Sequence, residues 1–311
     1  MPPPSATSRG VRVSASTSNL GPGFDVVGLA LDLELELVAH SRTGAGPARL
    51  TQRRGEAQHW PGGESELCVR AFRRAFEQLG GQSQVDLEAD SHIPVSRGLG
   101  SSGAAIAAGL LLGEALAPRR ASREQLLAWA LELEGHPDNV TPALFGGCAL
   151  TAPRASGPPR VVHVSLSPAL GFSVAWPETT LETAFARSLL PAVVPHGAAV
   201  ETARKLALVL EGLRTGDGEL LAAGNEERLH VPYRLPHIRG GREALQAAQA
   251  SGAYLATISG SGSALFAVCP RAAARRVAEA MRAAFERAGE RASAHAVERV
   301  PGAPEVVGLR G

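Results

Sequence analysis

The sequence predicts an α+β protein of two domains, with helices packed against largely antiparallel sheets. Three observations lead there. Residues 29–39, "LALDLELELVA", alternate apolar and polar without a break, the period of a half-buried strand. The segment 102–116 is apolar on every side and rich in Ala, Gly and Leu, as a helix inside a core must be. After residue 160 strands and helices alternate, and "RASGPP" at 154–159 reads as a linker, so the expected domains are residues 1–155 and 156–311. A chain of 311 residues is long enough for two cores.

Each element has its own signal. Residues 11–18, "VRVSASTS", alternate as a strand, and Gly21, Pro22 and Gly23 then force a turn before strand 29–39. Apolar residues at 67, 69, 72, 76 and 79 have helical spacing, which Gly80 ends. "VDLEADSHIP" (85–94) reads as a strand, followed by helix 102–116 and a helix over 122–134 with Ser122 as its N-cap. "GHPDNVTPALFGGCAL" (135–150) reads as a turn, a short helical piece and a strand. The second half opens with strands "RVVHVSLS" (160–167) and "GFSVAWPE" (171–178). Helices are expected at 181–190, 197–215, 217–229 and 239–251, then strand, Gly/Ser turn and strand over 253–270. An amphipathic helix at 271–290 and a strand at 292–300 complete a sheet expected to carry helices on one face.

Bulk properties exclude several classes. With 31 basic and 30 acidic residues the net charge is +1, which provides no field for nucleic acid or an anionic membrane. Cys68, Cys148 and Cys269 are odd in number and scattered, which argues for a reducing compartment and against disulfides or a thiolate zinc site. "MPPPSATSRG" lacks the basic and apolar regions of a signal peptide, and the longest apolar runs, interrupted by Glu114, are too short to span a bilayer. A soluble cytoplasmic protein is the expectation.

The stretch "PVSRGLGSSGAA" (94–105) carries the chemistry. Gly98, Gly100 and Gly103 let the backbone approach a ligand, Ser101 and Ser102 add hydroxyls, and the following helix supplies free N–H groups at its positive end. Taken alone, such a turn is as readily a ligand-free helix start. The only lysine in the chain is Lys205, far from this loop. A Walker A loop and a protein kinase both need a lysine in a defined context, so both are excluded, and "GLGSSG" does not fit the dinucleotide fingerprint. Phosphate charge must instead be met by the helix dipole, Mg²⁺ and arginine.

This stretch resembles the central motif of the GHMP kinases. "VSASTSNLGPGFDVVGLAL" (13–31) and "SGSGSALFAV" (259–268) are similar to that superfamily's first and last motifs, in order and spacing. Within the superfamily the resemblance is closest to the homoserine kinase branch, through "SNLGPGFDVVGLAL", "EGHPDNVTPALFGG" and "VPYRLPHIRG". The resemblance covers essentially the whole chain. It implies a ribosomal-protein-S5-like N-terminal domain, a ferredoxin-like C-terminal domain, and ATP-dependent phosphorylation of the L-homoserine hydroxyl in threonine biosynthesis. A mevalonate- or shikimate-type kinase and a non-catalytic sensor on the same scaffold are the alternatives, and a homodimer is compatible with it.

The resemblance also assigns residues. ATP would lie on Pro94, Val95, Ser96, Arg97, Gly98, Leu99 and Gly100, on Ser101, Ser102, Gly103 and Ala104, and on the later motif through Ser259, Gly260, Ser261 and Gly262. Mg²⁺ would be held by Glu134 with Ser101 or Ser102, hard oxygen ligands that leave room for phosphate and water. Asp25 would hold the substrate ammonium with Asn19 beside it, and Arg187 and Arg234 its carboxylate, with Thr183 assisting. His136 and Asn139 would face the reacting hydroxyl. Mevalonate-type relatives carry an aspartate where Asn139 stands, and an amide cannot take a proton, so the implied transfer proceeds by positioning without a dedicated base. Asp138 is expected to point elsewhere, capping the next turn. Two departures stand out: Ser263 where the last motif usually has proline, and Glu66 where an asparagine is common near the adenine.

Overall fold

The computed structural model describes residues 8–309 except 43–45, 64, 83 and 153. Residues 1–7, most of the stretch read above for a signal sequence, lie outside the described residues. The chain begins with β1 (Ser8–Asn19), β2 (Gly23–Arg42) and β3 (Arg49–Gly55), then α1 (Leu67–Gln78) and β4 (Gln84–Ser91). Next come α2 (Ser101–Leu116), α3 (Arg123–Glu134) and α4 (Pro137–Phe145), followed by the hairpin of β5 (Cys148–Ala152) and β6 (Arg160–Val164). The later part comprises β7 (Leu170–Pro177), α5 (Thr183–Ser188), α6 (His196–Thr215), α7 (Gly218–Ala222), α8 (Val231–Arg234) and α9 (Gly241–Ala250). It continues through β8 (Leu255–Ile258), β9 (Leu265–Pro270), α10 (Ala274–Arg287), β10 (Ala292–Val297) and β11 (Val306–Leu309).

The described strands form two sheets. The first runs β11-β1-β2-β4-β3, with β5 on the free stretch of β2 and β6 beyond it. The second is four-stranded in the order β10-β7-β9-β8. Counting only its own strands that order is 4-1-3-2 with a helix-bearing connection after the first and third, the ferredoxin-like arrangement expected.

Helix α2 is the axis of the first domain. Its residues from Gly103 to Gly113 are all buried, because α1, α3 and α4 surround it. Gly109 and Gly113 let α1 come close: a Cβ at Gly109 would stand 2.2 Å from the Cys68 carbonyl oxygen. That contact explains an apolar helix with glycines four residues apart. Ser122 caps α3 as expected, accepting from Gln125 N–H at 3.2 Å.

Four expectations need correction. "RASGPP" is a hairpin connection within the first sheet, because β6 pairs antiparallel with β5 across Cys148↔Val164 to Ala152↔Arg160. Residues 217–229 are not one helix: α7 ends at Ala222 and a 3₁₀ turn runs to Glu226. There Asn225 binds β8 from both ends of its amide, donating to the Tyr254 carbonyl at 2.8 Å and accepting from Ala256 N–H at 2.9 Å. The second sheet is covered on both faces. Ala175, Leu265 and Ala267 meet α9 and α10, while Phe172, Val174, Phe266 and Val268 share the main core with Val209, Leu213 and Leu221 of α6 and α7. Lastly, β3 and β11 were not anticipated, because "RLTQRRG" and "VVGL" are mostly exposed and lack strict alternation of apolar and polar residues.

Candidate active site

The three glycine-rich motifs, distant in sequence, meet at the seam between the sheets. Ser16 N–H donates to the Leu99 carbonyl at 3.1 Å, and Ala264 N–H to the Arg97 carbonyl at 2.9 Å. Ser259 Oγ donates to the Gly98 carbonyl at 2.7 Å and lies 2.8 Å from Thr17 Oγ1. Asn19 Nδ2 donates to the Gly260 carbonyl at 2.9 Å. The central loop is thus clamped from two sides before any ligand arrives.

An open cleft lies over this junction. It is lined by the loop from Pro94 to Ser102, by Asn19, Phe24 and Asp25, by Glu134, His136, Asp138 and Asn139, and by Thr183, Arg187, Arg234, Gly260 and Ser261. Trp60, Glu66 and Leu67 line it as well. Gly100 is the N-cap of α2 with φ 72°, no side chain caps the helix, and its first internal hydrogen bond is Ala104 N–H to the Gly100 carbonyl. The N–H groups of Ser101 and Ser102 precede that bond, so an anion can receive them and the positive end of the dipole.

Four of the expected nucleotide contacts do not line the cleft. Gly103 is pressed against Asn139 and Val140, Ala104 is buried in α2, and Ser259 is spent on Gly98. Gly262 faces Ile238 and Leu181. These residues pack behind the cleft. Arg97 lines the cleft, but its guanidinium donates to the carbonyls of Val95, Pro177 and Glu178 at 2.7–3.0 Å and so stitches the loop to β7. The two departures have local partners. Ser263 Oγ donates to the Thr179 carbonyl at 2.5 Å. Glu66 caps α1, accepting from Leu67 N–H at 2.9 Å and Gly62 N–H at 3.2 Å.

On the opposite wall the charges are paired. Arg187 donates to both carboxylate oxygens of Asp25, at 2.7 and 3.0 Å, and this fork raises the arginine's pKa further. Asn19 accepts from Asp25 N–H at 3.0 Å, so both ends of its amide hold the turn and the last glycine motif. Arg234 is 1% exposed, and burial followed by the charge of Arg187 lowers its pKa to about 10. Both guanidiniums lie over the Phe24 ring, 5.7 Å from its centroid for Arg187 and 5.2 Å for Arg234. Thr183 Oγ1 is 3.3 Å from Ser261 Oγ, beside these groups.

Asn139 sits at the start of α4, between hydroxyls of β1. Its Oδ1 accepts from Ser16 Oγ at 3.0 Å, and its Nδ2 donates to Ser18 Oγ at 3.2 Å. Asp138 does not point away as expected. Its carboxylate is 3% exposed and faces the His136 ring, with Oδ1 3.4 Å from Nδ1 and neither atom completing a well-directed hydrogen bond. Asp138, and to a lesser degree the charge of Glu134, raises the His136 pKa against the opposing effect of burial. Glu134 is pushed up in turn, by burial first and then by the Asp138 charge.

A largely buried carboxylate that shares the cleft with two loop hydroxyls fits a divalent cation that brings its own phosphate and water ligands. No cluster of three His, Cys, Asp or Glu among the described residues could cage a metal alone. The donor set therefore suits Mg²⁺ carried on a nucleotide.

Sequence reasoning missed Ser16, Ser18, Phe24 and His230. Ser16 and Ser18 carry a usable signal, since strand alternation places them on the same side as each other.

Comparison with known proteins decides the family. Residues 66–147 match the family model described as the GHMP kinases N terminal domain, and residues 209–287 that described as GHMP kinases C terminal. The chain belongs to the GHMP kinase family. It is 42% identical over 282 residues to a homoserine kinase of Synechococcus sp., covering 90% of this chain and 89% of the relative, and equally similar to one of Prochlorococcus marinus. The crystal structure of homoserine kinase from Cytophaga hutchinsonii superposes with a TM-score of 0.88 at 28% identity, covering 96% of this chain and 97% of that one. The L. major mevalonate kinase shares the fold at a TM-score of 0.69 and 16% identity. As a GHMP kinase the chain uses ATP as phosphoryl donor.

Proposed function

We propose that this chain transfers the γ-phosphoryl group of ATP to the side-chain hydroxyl of L-homoserine, in threonine biosynthesis. The observation that carries the reading is a zwitterion receptor, Asp25 with Arg187 and Arg234, in the same cleft as the uncapped start of α2. The names of the most similar relatives agree with it.

Loop N–H groups and the α2 dipole bind the nucleotide phosphates. Mg²⁺, held by Glu134 and Ser101 or Ser102, would neutralise charge on the transferred group. Asp25 and Arg187 satisfy each other, and an amino-acid zwitterion would replace that pair with two. Its ammonium takes Asp25, and its carboxylate takes Arg187 and Arg234. A ligand bearing only one of these charges leaves the other protein group unpaired, a cost of about 1.5–3 kcal/mol.

Asn139 orients the hydroxyl. Ser16 and Ser18 hold its amide from both ends, leaving one amide hydrogen and one lone pair for the substrate. The Asp138 carboxylate favours the protonated form of His136, which lines the cleft where the phosphoryl group would pass. The transfer uses positioning and charge stabilisation, which a loose phosphoryl transition state permits.

The test is ADP release with L-homoserine, mevalonate, shikimate and L-threonine as alternative acceptors. Homoserine is expected to give turnover well above the others. Turnover with mevalonate or shikimate and none with homoserine would replace the substrate, and none with any acceptor would favour a sensor.

A further inference from the structure

Arg234 is a buried cation whose hydrogen-bond partners are all neutral. Its Nε donates to the Ala186 carbonyl at 3.2 Å, and Nη1 to the Gly260 carbonyl at 3.1 Å and to His230 Nδ1 at 3.4 Å. The carboxylate beside it, Asp25, is gripped by Arg187. Two of those three acceptors are backbone. The third is a side chain from the same short helical turn, and nothing in the chemistry so far needs it.

The partners of His230 determine its state. A guanidinium can only donate, so Nδ1 is the bare nitrogen; the Gly21 carbonyl, 3.0 Å from Nε2, can only accept, so Nε2 carries the hydrogen. The ring is completely buried and stacks on Phe24, with centroids 5.1 Å apart and planes at 25°. Its backbone is pinned by Glu227, a buried carboxylate that accepts from the N–H groups of Leu229, His230 and Val231. One ring therefore touches the Gly21 turn that leads to Asp25, the Phe24 ring that both guanidiniums also approach, and Arg234 itself.

We propose that His230 is a positioning residue, a neutral imidazole that aims Arg234 into the cleft and ties it to the turn carrying Asp25. The proposal rests on the reading of Arg234 as a receptor for the substrate carboxylate. The imidazole suits the task because a carboxylate in its place would neutralise the guanidinium and compete with the substrate. A neutral acceptor orients the fork and leaves its charge free.

The experiment compares His230→Asn, His230→Gln and His230→Phe, with KM for L-homoserine, KM for ATP, kcat and Tm measured on each. The asparagine oxygen replaces Nδ1 as acceptor, the glutamine amide replaces Nε2 as donor to Gly21, and phenylalanine keeps only the stacking. The glutamine and phenylalanine variants are expected to raise KM for homoserine by about tenfold or more, the value of one charge-assisted hydrogen bond. KM for ATP should stay within about twofold, and the asparagine variant should recover most of the homoserine effect. A homoserine KM that follows Tm across the three, or an ATP KM that rises in step, would overturn the proposal. So would an asparagine variant as impaired as the phenylalanine one. If phenylalanine prevents folding, the asparagine–glutamine contrast decides alone. Arg234→Ala is run alongside: an unchanged homoserine KM there removes the carboxylate reading itself, whatever the histidine variants do.

Discussion

Asp25 is paired with Arg187 through both carboxylate oxygens, and under the proposed function it pairs a second time, with the substrate ammonium. Asp25→Asn keeps the shape and removes the charge, so Arg187 loses its fork and the ammonium its counter-ion. Charged hydrogen bonds of this kind are worth about 1.5–3 kcal/mol, which corresponds to a rise in homoserine KM of roughly ten- to a hundredfold. Steady-state kinetics should show the ATP KM nearly unmoved, since the turn lies on the other wall of the cleft from α2. Asn139→Ala tests the opposite partition. On the proposed reading it removes the group that orients the hydroxyl, so kcat should fall by about ten- to a hundredfold while some turnover survives. A loss of all turnover, or a pH–rate profile controlled by one carboxylate that vanishes in Asp138→Asn, would mean that Asp138 takes the proton.

Helix α2 shows what a single element contributes and how much of it was readable. Gly100 holds φ 72°, and a Cβ there would stand 2.1 Å from Ser16 Oγ and 3.1 Å from Asn139 Oδ1. Gly100→Ala thus adds a left-handed backbone penalty of about 1–2 kcal/mol and pushes on the serine that orients Asn139. Calorimetry should find ATP binding weakened by about tenfold or more, and kinetics should find kcat reduced as well. The loop, its helix and the turn of "EGHPDN", though not the direction of its Asp138, were legible because glycine at a positive φ, an apolar helix and a turn proline leave local marks. What escaped was set by tertiary pairing. Asp138 faces the cleft because α4 docks against β2, with Gly28 so close to the Asp138 carbonyl that a Cβ would overlap it. The face of the second sheet bearing Phe172 and Val174 meets α6 and α7, and β6 returns to the first sheet. Period alone cannot say which partner covers an apolar face.

At the scale of the whole molecule the two sheets are held together away from the cleft, by Asp32. The register of β1 against β2 slips between Ser14↔Glu34 and Ala15↔Leu31, which leaves Asp32 and Leu33 as a bulge. The bulge turns Asp32 toward β10, where His295 Nε2 stands 2.6 Å from its Oδ1 and the N–H groups of Glu298 and Arg299 donate to Oδ2 at 2.8 and 3.2 Å. Burial alone would raise the pKa of this carboxyl. The hydrogen bonds from His295 and from the two backbone N–H groups together outweigh burial and hold it below the ordinary 3.8. A carboxylate with a depressed folded-state pKa adds stability that is fully present above its unfolded pKa and is lost as pH falls through the folded one. Asp32→Asn should therefore lower stability at neutral pH by about 1 kcal/mol, a modest value because the pair is partly solvated. In a chain of this size that corresponds to a Tm lower by about 1–2 °C. The difference between variant and wild type should persist down to the ordinary aspartate value and close below it. A difference that stayed constant through that range would mean the bulge acts by shape rather than by charge.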